Sequence, residues 1–519
     1  MMQTGRSCPS LIVAAEAYPL AKTGGLADAV GGLAQALRRE GLPLHVLLPA
    51  YRGMLERVTP ERHWVLGTLP GGPARLVEAR CRTSGLPCLL LDNPALFDRG
   101  GIYVDEDGRD YPDNAVRYAA LAHAAAAIAA GLPDLPVPGI VHAHDWHAGL
   151  VPMLVRHVAP ATSTVLTIHN LSFQGSFPPE ALPLLDLPAG TAASALFAWD
   201  RLNFLKAGIV HAHCVTAVSR NYAREILTPE GGCGLHDVLR SRAEDFVALP
   251  NGIDPSVWGP SRDAYLADLP YDVDTLERKA YWKSRVQSDF GLDIDKEALL
   301  VISCSRLTEQ KMADVTLQAM PRALETLPRL QLAVLGKGEA RFENGFAALA
   351  RQFPGRCATH IGYDERAAHR LQAAADALWH PSRFEPFGLT PLYAMRYGTL
   401  PIATAVGGMV DTIHDPGLGA GRAALKAANG VLLDGAGAGA MIAALHRVME
   451  LRDHQTVWRT MQRNAMREDH GWPSAVQAYL QLFAGMRGHA VIGPHRMRTR
   501  SERPAVRAGR TRVSVAPGL

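Results

Sequence analysis

Short apolar runs alternate with longer stretches of helical spacing along most of the chain. In the first half the runs are LIVAAEA (11–17), LPLHVLLPAY (42–51), GIVHAHD (139–145), STVLTIHN (163–170), CVTAVS (214–219) and DFVALPNG (245–252). In the second half they are ALLVISCSR (298–306), LQLAVLGKG (330–338), CATHIGY (357–363), ADALWHPS (375–382), TLPIATAVGG (399–408) and NGVLLD (429–434). Runs without in/out alternation are typical of parallel strands covered by helices on both faces. The repeated strand–helix order therefore predicts an α/β protein with two doubly wound domains.

The boundary between the two domains is predicted where Gly, Pro and Asp cluster, in LPNGIDPSVWGPSRD after Asn251. This gives a first domain over 1–255 and a second over 256–470. Ligands of such sheets bind beyond the carboxyl ends of the strands. Two facing sheets would form a cleft, and the polar residues that end the strands are the candidates for function.

Composition narrows the class of protein. The chain has 519 residues, 48% of them hydrophobic, and a net charge of +3, which does not indicate a partner of nucleic acid or membrane. Its seven cysteines are scattered and contain no CxxC, as expected for free thiols in a reducing cytoplasm. The N-terminus lacks the apolar core of a signal peptide. We expect a soluble cytoplasmic protein.

The last residues form a separate segment. Seven arginines between 496 and 512 are opposed only by Glu502, and prolines interrupt the stretch. This composition predicts a basic disordered tail over 488–519.

The stretch EAYPLAKTGGLADAVGGL joins the first strand to a helix. Gly24 and Gly25 let backbone amides approach a ligand, the helix start adds partial positive charge, and Lys22 adds a full charge. This arrangement favours phosphate binding, although it matches neither GxGxxG nor the P-loop. The second interpretation is an ordinary turn before a helix.

Histidines and an aspartate gather at the ends of two strands, in HAHDWHAGL (142–150) and TIHN (167–170). We expect His142 and His144 to point to opposite sheet faces, which leaves no compact set of metal ligands. We therefore expect no metal. Asp145 and His169 are predicted to form a polar cluster that contacts sugar, or to be structural.

SRLTEQK (305–311) follows the first strand of the second half. Arg306 and Lys311 at this strand end could clamp a diphosphate and stabilise charge on a leaving group. A solvated pair of loop cations is the alternative.

PSRFEPFGLTPLYAMRYG (381–398) carries the most information. Glu385 precedes Gly388, Leu389 and Thr390, which open an apolar helix. Free amides at that helix start could hold phosphate, while Glu385 could bond sugar hydroxyls. The alternative for Glu385 is a carboxylate favoured by the helix dipole.

Together these motifs resemble the bacterial glycogen synthase and plant starch synthase family. The motifs are KTGGLADAVGGL, DYPDNAVRYA, HAHDWHAGL, TIHN, NFLKAGI, SRLTEQK, PSRFEPFGLTPLYAMRYG and GGMVDTI, in order between about residues 10 and 487. The resemblance implies a retaining glucosyltransferase with two Rossmann-like domains (the GT-B fold). It also implies transfer of glucose from ADP-glucose to the non-reducing end of an α-1,4-glucan, without metal or cofactor. A C-terminal helix, residues 471–487, would cross back onto the first domain.

The resemblance also implies roles for individual residues. Asp145 and His169 would flank the transferred glucose, and Glu385 would bond its hydroxyls. The nucleotide sugar would be held by Lys22, Gly24, Gly25, Asn251, Arg306, Lys311, Tyr363, Gly388, Leu389 and Thr390. Within this set, Arg306 and Lys311 hold the diphosphate, Tyr363 stacks on adenine, and Asn251 belongs to the sugar pocket.

Some positions depart from the family pattern. Phe387 and Pro391 stand where cysteine and glutamine are familiar, and Met312 stands where glycine is usual. Tyr393 occupies the place of a second glutamate in related glycosyltransferases. GGCGLHDVL (231–239) is an altered form of a loop that usually contains phenylalanine. Phe387 would crowd the glucose pocket if it pointed inward, and Met312 would stiffen the loop behind Lys311.

Three alternatives remain at this point. One is a related GT-B transferase that uses UDP-glucose, and another is a glucan-binding protein without turnover. A dehydrogenase shares the fold class, but neither half supplies GxGxxG followed by an acidic residue about 20 positions later.

Overall fold

The computed structural model describes residues 9–417, 419 and 422–486. The predicted tail 488–519, and residue 487 of the predicted crossing helix, lie outside the described residues. Among the described helices, none has the length and apolar character that a membrane span needs.

The first lobe is built on a nine-stranded sheet in the order β12-β11-β7-β6-β1-β2-β5-β4-β3. At one edge, β3 pairs with β4 and β4 with β5, both antiparallel. All other neighbouring pairs of this sheet, between β5 and the opposite edge strand β12, are parallel. A small separate sheet has the order β8-β10-β9. The strands are β1 (Ser10–Val13), β2 (Leu44–Pro49), β3 (Val58–Leu69), β4 (Gly72–Cys81), β5 (Pro87–Asp92), β6 (Ile140–His144), β7 (Ser163–Ile168), β8 (Ser176–Phe177), β9 (Phe197–Ala198), β10 (Arg201–Asn203), β11 (Cys214–Ala217) and β12 (Phe246–Ala248).

The second lobe is built on a six-stranded sheet in the order β15-β14-β13-β16-β17-β18, with every neighbouring pair parallel. Its strands are β13 (Leu299–Cys304), β14 (Leu330–Gly336), β15 (Cys357–Ile361), β16 (Ala377–His380), β17 (Leu400–Thr404) and β18 (Val431–Leu433). The predicted division after residue 255 falls in the connection between the two sheets.

Helices cover both sheets. In the first lobe they are α1 (Gly25–Arg39), α2 (Pro94–Phe97), α3 (Asn114–Ala130), α4 (Val151–Val158), α5 (Ala193–Leu196), α6 (Phe204–His211), α7 (Arg220–Glu225) and α8 (His236–Arg240). They continue as α9 (Lys279–Asp289), α10 (Ala313–Thr326), α11 (Ala340–Gln352), α12 (Glu365–Ala374), α13 (Leu389–Arg396), α14 (Gly408–Thr412), α15 (Arg422–Ala427), α16 (Ala438–Asp453), α17 (Gln455–Arg467) and α18 (Trp472–Met486). Short 3₁₀ helices occur at Leu55–Arg57, Trp146–Ala148, Pro179–Leu184, Ala243–Asp245, Ala264–Leu266 and Leu276–Arg278.

The predicted fold class is confirmed: the molecule has two Rossmann-like α/β lobes. Each of the twelve apolar runs contains a strand, and the buried parallel strands are apolar on both faces. β3, β4 and β5 of the large sheet, and the three short strands β8, β9 and β10, have no counterpart among the predicted runs. β3 was not predicted because eleven of its twelve positions, all except the first, are exposed or half-buried, so its sequence lacks an apolar run.

The last helix crosses from the second lobe to the first and packs on α1. Ile253 and Gly471 form a parallel bridge where the two crossing segments meet. The buried Trp472 ring lies directly against α1 at Gly32: a β-carbon there would be 2.0 Å from the indole nitrogen. The absence of a side chain at Gly32 therefore allows Trp472 of α18 to pack closely on the first lobe.

We expect Gly32→Ala to lower the free energy of unfolding by about 1–3 kcal/mol, because a methyl group must displace a buried indole ring. Gly439→Ala is the matched control, since Gly439 also lies in a helix but has open space where a β-carbon would be. That control should change stability by less than about 1 kcal/mol. Urea unfolding measures both; equal effects would contradict the close packing.

Candidate active site

The predicted site residues follow strands at the facing carboxyl ends of the two sheets. Asp145 follows β6 and His169 follows β7 in the first lobe, while Arg306 follows β13 and Glu385 follows β16 in the second. Open parallel sheets bind ligands at this edge, where loops leave the strands. The two sets of residues therefore face one cleft.

Direct contacts join the lobes beside this cleft. The Ser219 hydroxyl donates to the carbonyl oxygen of Pro386 at 2.7 Å, immediately after Glu385 in sequence. Glu225 of α7 accepts from the backbone N–H of Gly407 at 2.9 Å. The loop that carries Glu385 is thus held against the first lobe.

A buried glutamate organises the KTGG turn. Glu16 follows β1 and accepts from the Thr23 hydroxyl at 2.7 Å, from the Thr23 and Gly24 amides, and from the Tyr103 hydroxyl. Burial raises the pKa of Glu16 above its usual value, while these donors act in the opposite direction. The Gly24 N–H therefore has Glu16 as its partner. Glu16 was not among the predicted site residues; its signal was a carboxylate inside the apolar run LIVAAEA.

Lys22 is held at the entrance of the turn by Asp28 of α1. The two side chains form an ion pair at 2.9 Å, and the other Asp28 oxygen accepts from the Tyr393 hydroxyl of the second lobe at 3.4 Å. Burial lowers the pKa of Lys22, but attraction to Asp28 outweighs it and the pKa is raised overall. Tyr363 of the second lobe, 72% exposed, also interacts electrostatically with Lys22. The predicted nucleotide residues Lys22 and Tyr363 are therefore brought together across the cleft.

Helix starts from both lobes meet at this point. α1 begins at Gly25 and α13 begins at Leu389, and a β-carbon on Gly25 would be 3.4 Å from the Leu389 side chain. Gly388 precedes α13 with a φ of 88°, a conformation that favours glycine. Two amino-terminal ends of helices, each carrying partial positive charge, thus point to one region.

Three histidines form a row at the ends of β6 and β7, with His142 and His144 buried and His169 half-buried. The rings of His142 and His144 have centroids 4.1 Å apart, and His144 Nδ1 lies 2.9 Å from His169 Nε2. The expectation that His142 and His144 point to opposite faces is wrong, because residues two apart on a strand share a face. Burial lowers the pKa of His142 and of His169 to about 3, so both rings are neutral near pH 7.

Asp145, the residue directly after β6, has unusual backbone dihedral angles. Its φ is 56° and its ψ is −171°, a region that is essentially restricted to glycine and costs about 1–3 kcal/mol. One carboxylate oxygen accepts from the amides of His169 at 2.7 Å and Asn170 at 3.4 Å. Burial raises the pKa of Asp145 to about 7. Asp145 and His169 therefore form one locked unit, as the sequence predicted them to cluster.

Lys311 and Glu385 form an ion pair in the second lobe. His380 lies 3.1 Å from Glu385 and 3.4 Å from Lys311, and the Ser382 hydroxyl donates to Glu385 at 3.2 Å. Burial favours the neutral carboxyl, yet attraction to Lys311 prevails and holds the pKa of Glu385 well below its usual range. His380 was missed by the sequence analysis, although it ends the run ADALWHPS.

Arg306 is exposed and donates to Gln310 at 3.0 Å. It lines a small cavity together with Lys311, so the two predicted clamp residues share one wall of the site. Met312 follows with a φ of 50° and a buried side chain, at a position where a residue without a β-carbon would be unstrained.

The remaining predicted site residues, and two positions that differ from the family pattern, are buried or half-buried. Asn251 is buried in the segment that leaves β12, and Thr390 lies half-buried in the first turn of α13. Phe387 joins the hydrophobic core, and Pro391 is buried in the first turn of α13, where proline is tolerated.

Among the residues that the structure describes, no group of three or more His, Cys, Asp or Glu side chains is arranged to hold a metal ion.

Comparison with known proteins identifies the family. The family model "Starch synthase catalytic domain" matches residues 11–241, and "Glycosyl transferases group 1" matches residues 285–465. A glycogen synthase of Bordetella petrii is 54% identical over 480 residues, which cover 92% of each chain. The chain belongs to the glycogen and starch synthase family of glycosyltransferases. A second glycogen synthase, from Bordetella bronchiseptica, is 52% identical over 94% of this chain and 96% of its own.

Solved structures agree with the family. The catalytic domain of starch synthase IV from Arabidopsis thaliana, bound to ADP and acarbose, superposes with a TM-score of 0.82 at 28% identity, over 93% of this chain and 99% of its own. A sucrose-phosphate synthase from Thermosynechococcus elongatus shares the fold, with a TM-score of 0.57 at 18% identity, over 92% of this chain and all of its own. The resemblance to the glycogen and starch synthase family is confirmed.

The raised pKa of Asp145 predicts a specific pH dependence of stability. The folded protein keeps a proton on Asp145 up to about pH 7, whereas the unfolded chain releases it near pH 4. The protonated Asp145 therefore contributes its full share to the free energy of unfolding below about pH 4. This contribution, on the order of 4 kcal/mol, is lost as the pH rises from about 4 to about 7.

Asp145→Asn lacks this titration, so the stability difference between variant and wild type should shift in favour of the variant over that pH window. Urea unfolding at several pH values measures the difference. A difference that is constant between pH 4 and 7 would contradict the raised pKa.

Proposed function

We propose that the protein transfers glucose from ADP-glucose to the non-reducing end of an α-1,4-glucan and retains the anomeric configuration. The observation that carries this proposal is the convergence of two helix starts, at Gly25 and Leu389, beside Lys22. Lys311 and Arg306 lie at a strand end of the same lobe as Leu389. Together they provide a positive region suited to a diphosphate.

The diphosphate would be gripped from both lobes. Arg306 and Lys311 contribute full charges from the second lobe, and the amides around Gly388, Leu389 and Thr390 contribute the helix start. From the first lobe, Lys22 contributes its charge. Because the Gly24 N–H is directed at Glu16, the amides that follow Gly24 in α1 are the donors expected to meet phosphate. Charge on the departing ADP is stabilised by these groups as the glycosidic bond lengthens.

Glucose would lie between Glu385 and the Asp145–His169 unit. Lys311, His380 and Ser382 all contact the Oε2 atom of Glu385. Its other oxygen, Oε1, is then the atom that accepts hydrogen bonds from glucose hydroxyls. The depressed pKa keeps this carboxylate ionised throughout the physiological range.

Retention is expected from attack on the same face from which ADP departs. A double displacement would need a carboxylate nucleophile at the anomeric carbon. Glu385 is engaged by Lys311 through Oε2 and is assigned to the glucose hydroxyls through Oε1, and burial raises the pKa of Asp145 to about 7, which makes its carboxyl a weak nucleophile near neutral pH. In the proposed step the acceptor hydroxyl bonds to C1 as the C1–O bond to ADP breaks, and the ADP oxygen takes the hydroxyl proton. The neutral His169 supplies no charge to this exchange.

The cations of the protein would replace a metal ion in this scheme. We therefore propose that the reaction needs no metal or cofactor, and that it proceeds in the presence of a chelator. The cysteines that the structure describes are all free thiols, which supports a cytoplasmic location.

UDP-glucose is the alternative donor, and a glucan-binding protein without turnover is the alternative function. We expect the purified protein to incorporate label from ADP-glucose into glycogen faster than from UDP-glucose, with EDTA present. Radiolabel in the precipitated polymer measures both rates. Faster transfer from UDP-glucose would overturn the donor assignment, and no transfer from either donor would favour the binding protein.

Lys311→Ala should lower kcat by about 100- to 1,000-fold, because it removes a charge that stabilises the leaving group. Lys426→Ala is the matched control, since Lys426 is an exposed lysine of the same lobe on α15. Thermal unfolding should show that the Lys311→Ala variant remains folded at the assay temperature. A turnover equal to that of the control would remove Lys311 from the proposed clamp.

A further inference from the structure

The tip of the β9–β10 hairpin carries a tryptophan in a strained conformation. The loop consists of Trp199 and Asp200, which have φ values of 50° and 57°. Two-residue hairpin loops with positive φ at both positions strongly prefer Asn-Gly or similar pairs. A bulky residue in this region is an outlier, and such strain is found where it serves a function.

The Trp199 side chain is both exposed and held in place. It is 61% exposed, and one edge of its ring lies so close to Gly234 that a β-carbon there would be 2.1 Å from the ring. Gly234 and Cys233 themselves have φ values of 77° and 46°. The ring is therefore fixed against a bare stretch of backbone while most of its surface faces solvent.

Phe173 is a second exposed aromatic residue, on a loop that contacts Cys233 beside Gly234. It is 51% exposed and lies between two residues that contact Cys233: the Ser172 hydroxyl is 3.8 Å from the thiol, and Gln174 donates to the Cys233 carbonyl at 2.9 Å. Asn203 of the hairpin donates to Gln174 at 2.7 Å. We call the surface formed by Phe173, Cys233, Gly234 and Trp199 the hairpin platform.

The hairpin platform lies within reach of the catalytic cleft. Phe173 is four residues from His169, so the chain between them spans at most about 14 Å. The same loop leaves the carboxyl end of β7, which is the edge of the sheet that faces the cleft. A polymer whose end lies beside His169 can therefore reach the platform with the units that follow.

We propose that the hairpin platform binds the α-glucan acceptor outside the transfer site, by stacking glucose rings on Trp199 and Phe173. This inference rests on the proposed function. One face of a pyranose ring presents C–H groups, which pack on an aromatic ring and remove apolar surface from water. Asp200 and Ser172 are exposed residues next in sequence to Trp199 and Phe173, and their oxygens can accept from sugar hydroxyls. Fixing Trp199 in advance lowers the entropy cost of binding.

The substitution Trp199→Asn distinguishes a role in glucan binding from a purely structural role of the ring. Trp199→Asn places a residue that favours positive φ at the turn and removes the ring. If the ring served packing alone, the loss of its contact with Gly234 would lower stability. If it serves binding, the hairpin should remain at least as stable and the affinity for glucan should fall.

The experiment measures retardation of the full-length protein in native gels that contain glycogen, together with the KM for glycogen and thermal unfolding. We expect Trp199→Asn to weaken glycogen binding about fivefold and to raise the KM for glycogen similarly, with an unfolding temperature at or above that of wild type. Trp199→Phe should restore most of the affinity. Tyr281→Asn is the control, because Tyr281 is a 37% exposed aromatic residue on α9 of the other lobe.

Glycogen affinity of Trp199→Asn within twofold of the Tyr281→Asn control would overturn the proposal, as would an affinity loss accompanied by a lowered unfolding temperature. Gel retardation does not require turnover. A wild-type protein that is retarded by glycogen but transfers no glucose would therefore refute the proposed function and leave the platform standing.

Discussion

Two helices from different lobes begin close to one another, each with a partially positive end, and the rest of the site is arranged around that constraint. A β-carbon on Gly25, the first residue of α1, would lie 3.4 Å from the side chain of Leu389, the first residue of α13. Partial charges of equal sign repel, so negative charge nearby stabilises this convergence. The chain supplies carboxylates there: Glu16 accepts from the Gly24 amide, while Asp28 pairs with Lys22 and Glu385 with Lys311. A diphosphate between the lobes satisfies the same requirement and links substrate binding to the relative placement of the two sheets.

The fold could be predicted because a parallel strand that is buried on both faces of its sheet appears in the sequence as a continuous apolar run. Parallel strands such as β13 and β14 are apolar at almost every position, so their locations are visible without any structure. β3 has no such trace, because it is an edge strand that exposes Glu61, Arg62 and His63 in succession. Its pairing with β4 depends on contacts that local sequence does not encode.

Part of the candidate site could be predicted from the rule that ligands bind at the carboxyl ends of parallel strands. That rule, with charge and glycine spacing, selected Asp145, His169, Arg306, Lys311 and Glu385. It did not select Glu16, whose function as the organiser of the KTGG turn depends on Tyr103, 87 residues later in the chain. His380 and Tyr393 were missed for a similar reason, since their partners come from tertiary contact. The error about His142 and His144 was one of strand geometry, and the stacked rings correct it.

The most direct test of the account is the affinity of ADP for a protein that has lost Lys22, the full charge that the first lobe contributes to the diphosphate site. Calorimetry on Lys22→Met/Asp28→Asn keeps the net charge unchanged, because it removes one cation and one anion. If the diphosphate is held from both lobes, ADP should bind at least about tenfold more weakly, the value of one charged hydrogen bond. An ADP affinity equal to that of the wild-type protein would show that Lys22 takes no part in holding the diphosphate, and would contradict the account.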